Sequence, residues 1–81
     1  MTTLYYNRAT AYFEFGQYQS AIADFNKAIS MKHDYALAYH GRGIVYLRQG
    51  DNKLGCSDAQ KACELGNCRL LEFAKDQGQC R

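Results

Sequence analysis

The sequence predicts an all-α fold: a right-handed stack of two helical hairpins closed by a C-terminal capping helix. Two observations predict it. The stretch from Leu4 to Met31 returns when moved along the chain, with Tyr5 falling on Tyr39 and Arg8 on Arg42. Tyr12 likewise falls on Tyr46, Gly16 on Gly50, Asp24 on Asp58, Lys27 on Lys61 and Ala28 on Ala62, all at a separation of 34. Self-similarity at one fixed period is the mark of supersecondary units that stack on one another. The second observation is that the 81 residues contain no proline. Ala21, Ile22, Phe25, Ala28 and Ile29 also keep the three-and-four spacing of a single helix face.

Each element follows in order. Thr2 is expected to cap a first helix running to Phe15, with Gly16 ending it as a C-terminal glycine does. The second helix is read from Tyr18 to Met31. Asp34 is expected to cap the third, from Tyr35 to Arg48, and Gly50-Asp51 makes the next stop and start. A fourth helix from Asn52 to Leu65 is broken by Gly66-Asn67. A short fifth, from Cys68 to Gln77, carries Leu70, Leu71, Phe73 and Ala74 and reads as a lid on the second hairpin, since an array needs a terminal cap. One domain over 1–81 results, with copies at 2–35 and 36–69 and a cap at 70–78, and fraying expected from Gly78. Gly55 inside a helix should cost about 1 kcal/mol relative to alanine, making the second hairpin the softer one unless the cap holds it.

Gly16 lies midway between Arg8 and Asp24, as Gly50 does between Arg42 and Asp58. Residues equidistant from the turn of an antiparallel hairpin come opposite each other. Arg8–Asp24 and Arg42–Asp58 are therefore read as structural ion pairs that fix helix register, the best-attested use of such pairs.

The run aromatic-x-x-x-small-x-x-Tyr, a glycine, then Ala-x-x-x-aromatic-x-x-Ala resembles the tetratricopeptide repeat, whose period is about 34 residues. Tyr5, Ala9, Tyr12, Gly16, Tyr18, Ala21, Phe25 and Ala28 fit in the first copy, and Tyr39, Gly43, Tyr46, Gly50 and Ala62 in the second. Phe73 stands where the aromatic would recur in a third. His33 and Asn67 replace the usual proline, and Gly55 and Ala59 depart from the pattern of the second helix. The resemblance implies a protein-interaction module whose inner helices line a concave groove for an extended or helical peptide. Here that face would hold Tyr6, Thr10, Phe13 and Glu14, then His40, Ile44, Leu47 and Arg48. Ordinary surface, or a face covered by the cap helix, is the other reading of the same residues. The lysine–asparagine clamp for a terminal carboxylate is not supported, because Tyr6, Thr10 and Gly41 occupy its places.

Composition narrows the classes further. Ten basic and eight acidic residues leave a net charge of +2, too weak a field to argue for nucleic acid or anionic lipid. No apolar run approaches the roughly 18 residues of a membrane span. No phosphate-cradling loop, nucleophile triad or paired carboxylate is present, so neither an enzyme, a cofactor nor a small-molecule substrate is expected. His33 and His40 have no evident partners.

Cys56, Cys63, Cys68 and Cys80 lack the close Cys-x-x-Cys pair of common zinc sites. They are read first as buried free thiols. The alternative is a Cys56–Cys80 disulfide made when the cap folds back in an oxidising compartment, and a metal site comes last. A helix starting almost at the first residue is expected of a piece of a longer array or of a very short protein, with the cytoplasm favoured. Two copies fall short of the three expected of a self-sufficient array, so stacking on a second copy or on further repeats rivals peptide binding.

Overall fold

The computed structural model describes residues 1–80 and is helical throughout, without a strand among the described residues. Five helices follow one another: α1 (Thr2–Glu14), α2 (Tyr18–Met31), α3 (Ala36–Arg48), α4 (Asn52–Glu64) and α5 (Arg69–Asp76). The starts of α1 and α3 are 34 residues apart, as are those of α2 and α4. α1 packs on α2 and α3 on α4 as hairpins. α2 joins the hairpins through α3, and α5 lies mainly on α4 with a smaller contact to α3.

Glycine sets the punctuation. Gly16, Gly50, Gly66 and Gly78 follow helix C-termini with φ of 79°, 85°, 106° and 76°, a left-handed conformation that costs other residues more. At the N-termini the expectations need correction. Thr2 lies inside α1, whose N-cap is Met1 without a side-chain cap bond. Asp34 does not cap α3 either: its carboxylate accepts from Lys32 Nζ at 2.9 Å, and Tyr35 holds the cap position. Only Asp51 behaves as a side-chain cap, accepting from the Leu54 backbone N–H at 3.2 Å.

Two apolar clusters form the core. Ala9, Ala21, Ile22, Phe25, Ala28, Ala38 and Val45 make the first, with Tyr5, Tyr6, Tyr12, Phe13 and Tyr18 packed around it. Ala59, Leu70, Leu71, Ala74 and Cys80 make the second, closed by Ile44, Leu47, Cys56 and Cys63. Small residues admit large neighbours at particular points. A Cβ on Gly41 would run into the tip of the Phe25 ring. One on Gly43 would be 2.8 Å from Leu70 Cδ2, and one on Gly55 2.5 Å from Leu47 Cδ2. Leu47 fills the space that Gly55 leaves.

The C-terminal end does not fray through Cys80. Gln79 and Cys80 donate backbone N–H groups to the Ala74 carbonyl at 2.9 and 3.3 Å, and Cys80 is only 6% exposed. The reading of the cysteines as free thiols is corrected as well. Cys56 is bonded to Cys80 and Cys63 to Cys68, with Cα separations of 5.6 and 3.9 Å. For Cys80 the physical reason is Gly78, whose positive φ turns the chain after α5 back onto α4.

Candidate groove on the inner helices

α1, α3 and α5 present one continuous face, and two adjoining cavities run along it. Between α1 and α3 a cavity of about 240 Å³ is lined by Tyr6, Thr10, Phe13 and Glu14, with Phe25 and Gly41 at its floor. Between α3 and α5 a larger one, about 410 Å³, is lined by Leu47, Arg48, Arg69, Leu70, Phe73 and Gln79. His40 and Ile44 border both. All eight groove residues named from the sequence therefore lie on these two cavities.

Phe13, Ile44 and Leu47 are half-buried, so they do not form a bare apolar patch. Phe13 stacks on Tyr18 with ring centroids 5.6 Å apart, and the Arg48 guanidinium sits 5.5 Å above its face. Tyr6 meets Phe25 edge-on at 5.9 Å and Tyr35 at 5.4 Å. Thr10 turns its hydroxyl back to the Tyr6 carbonyl at 3.0 Å. Phe73, by contrast, is 57% exposed at the outer rim. Reading from the sequence missed Arg69, Leu70, Phe73 and Gln79, since the cap was assigned to cover the second hairpin and not to extend the groove. The amphipathic pattern of α5, with Leu70, Leu71 and Ala74 inward and Phe73 outward, was the available signal.

The rim of the larger cavity is cationic. Arg48 and Arg69 line it with no acidic side chain among its lining residues. His40 is held below its ordinary pKa, first by burial and then by the nearby charge of Arg69. Its Nδ1 is buried without a hydrogen-bond partner.

Away from the groove, Arg8 Nε and Nη2 donate to the Asp24 carboxylate at 2.6 and 3.0 Å. Arg42 donates to Asp58 at 2.8 Å through both Nε and Nη2. Each arginine sits against two tyrosine faces, Arg8 against Tyr5 and Tyr12, and Arg42 against Tyr39 and Tyr46. The aspartate hydrogen bonds raise both guanidinium pKa values, burial opposing them at Arg42. Among the described residues no group of His, Cys, Asp and Glu is arranged to hold a metal ion. No described helix is long and apolar enough to cross a membrane.

A family model described as TPR repeat matches residues 9–50, just over half the chain, running from within α1 to the turn after α3. The chain belongs to the tetratricopeptide repeat family. Over 59 residues it is 41% identical to RNA polymerase II-associated protein 3 of Xenopus tropicalis, a stretch that makes up 73% of this chain and 9% of that protein. Tetratricopeptide repeats generally mediate protein–protein interaction and are typically non-enzymatic.

Proposed function

We propose that this chain is a non-enzymatic interaction module that holds a short segment of a partner protein, extended or helical, along α1, α3 and α5. The observation carrying this reading is the pair of adjoining cavities meeting at His40 and Ile44. Apolar side chains of the segment would enter beside Tyr6, Phe13, Ile44 and Leu47, while Glu14 and Arg48 set its polar edges. The Arg8–Asp24 and Arg42–Asp58 pairs hold the register of the hairpins that display this face.

Selection of peptides from a random dodecapeptide display library tests the reading. Phe13→Ala and Leu47→Ala would disturb Tyr18 and Gly55, so the informative variants are at the rim. Phe73→Ala and Arg48→Ala should weaken the selected peptides by about tenfold or more, as expected of anchors in an interface. Failure of the library to yield groove-dependent binders would remove the reading.

One observation favours a second reading, stacking against another hairpin. Ala38 and Val45 of α3 are buried in the first cluster, whereas their counterparts on α1, Leu4 and Ala11, are exposed. Arg42 also donates Nη1 to Asn26 of the preceding hairpin at 2.7 Å, a bond for which Arg8 has the same free group. Light scattering over a dilution series separates the two, since stacking between copies makes the mass concentration-dependent.

A further inference from the structure

We propose that the Cys56–Cys80 disulfide is a redox latch on the outer half of the groove. The inference rests on the groove reading above and concerns how that same face is switched. Four of the eight residues lining the larger cavity, Arg69, Leu70, Phe73 and Gln79, come from α5 or the turn that follows it. α5 has only eight residues, two turns, and a helix of that length does not hold itself together in water. It depends on the burial of Leu70, Leu71 and Ala74 and on its covalent ties.

The two bridges sit at opposite ends of the segment and do different work. Cys63 lies in the last turn of α4 and Cys68 precedes α5, a sequence separation of 5, so this bridge reinforces a turn that the chain already closes. Cys80 follows α5 and returns to Cys56 near the start of α4, a separation of 24. The first bridge is a hinge and the second is the fastening at the free end. A disulfide closing the longer loop restricts the open chain more.

The chemistry is a two-electron exchange. A dithiol reductant attacks as thiolate at Cys56, the half-buried member, while Cys80 is buried. The Cys56–Cys80 S–S bond breaks, Cys80 leaves as thiolate and takes a proton, and a mixed disulfide forms on Cys56. The second thiol of the reductant resolves it, releasing Cys56 as a thiol and leaving the reductant as a cyclic disulfide. Two electrons and two protons reach the protein. α5 is then tied only at its hinge, and the outer wall of the groove opens while the inner cavity on α1 and α3 persists.

Hydrogen–deuterium exchange of the full chain, oxidised and in excess dithiothreitol, which opens both bridges, tests this without a ligand, and the single variants isolate each bridge. Cys80→Ser and Cys68→Ser are measured alongside without reductant. The oxidised protein should show no free thiol in denaturant. On reduction the α5 amides should exchange at least about tenfold faster while those of α2 and α3 keep their protection, as in a sub-global opening. Cys80→Ser should reproduce the change and Cys68→Ser should not. Four free thiols after oxidation, unaltered α5 exchange, equal acceleration in every helix, or identical behaviour of the two variants would each overturn the latch. None of these outcomes bears on the groove itself, which stands or falls with the peptide selection.

Discussion

Arg42 and Asp58 face each other across the second hairpin through two hydrogen bonds of 2.8 Å, and a third bond from the same guanidinium reaches Asn26 in the first. One side chain therefore ties a helix to its partner and a repeat to its neighbour. Its counterpart Arg8 has the bidentate bond to Asp24 and no equivalent of the third contact. The Arg42 side chain is 20% exposed and that of Arg8 52%, so solvent screens the two pairs unequally.

Asp58→Asn should accordingly destabilise more than Asp24→Asn. Leaving Arg42 half-buried without its counter-charge should cost about 2 kcal/mol, below the full penalty of a deeply buried pair. Urea unfolding at neutral pH of the two single variants measures the order. Equal midpoints would show that the deeper burial of the Arg42–Asp58 pair adds nothing.

Gly55→Ala should lower stability by about 1–2 kcal/mol despite the better helix propensity of alanine, because overpacking outweighs it. The new Cβ would meet Leu47 Cδ2 at 2.5 Å and the Gly43 carbonyl oxygen at 3.2 Å. In a double-mutant cycle Leu47→Ala should couple favourably with Gly55→Ala, since it removes the atom that clashes.

His40 should make stability depend on pH. Burial and Arg69 lower its folded pKa below 6.5, so the unfolded chain binds more protons there. Its contribution is complete above about pH 6.5 and is lost as pH falls through the lower folded value. Arg48, Arg69 and Glu14 are the charged groups on the cavities that it borders. Thermal unfolding at about pH 7.5 and pH 5.5 should show a loss in the wild type that shrinks in His40→Gln.

Cys80→Ser should lower global stability by about 3 kcal/mol through restored freedom of the unfolded chain. Cys68→Ser, which opens the shorter loop, should lower it less. Denaturant titration of both under oxidising conditions gives the comparison.

Period, helix order and fold class were legible because they rest on local rules repeated in each copy. Gly16 and Gly50 mark the same turn, and Ala21, Phe25 and Ala28 mark the same face. The N-caps were not legible at Thr2, which falls inside α1, nor at Asp34, whose carboxylate Lys32 takes. Small residues announced close approach but not which side chain would fill it. That Leu47 lies on Gly55 and Leu70 on Gly43 depends on the crossing of helices and the docking of α5. The cysteine pairing was ambiguous for the same reason, since whether Cys80 reaches Cys56 depends on how the chain turns at Gly78. On the face of the inner helices, the sequence named the residues of α1 and α3 and missed those of α5.

The most direct test of the groove is an NMR titration of the full chain with a display-selected peptide, following the backbone amides. The account predicts that shifts concentrate on α1, α3 and α5 around Phe13, His40, Ile44 and Phe73, while the outer faces of α2 and α4 stay unmoved. Shifts centred on α2 and α4, or spread evenly over all five helices, would contradict it.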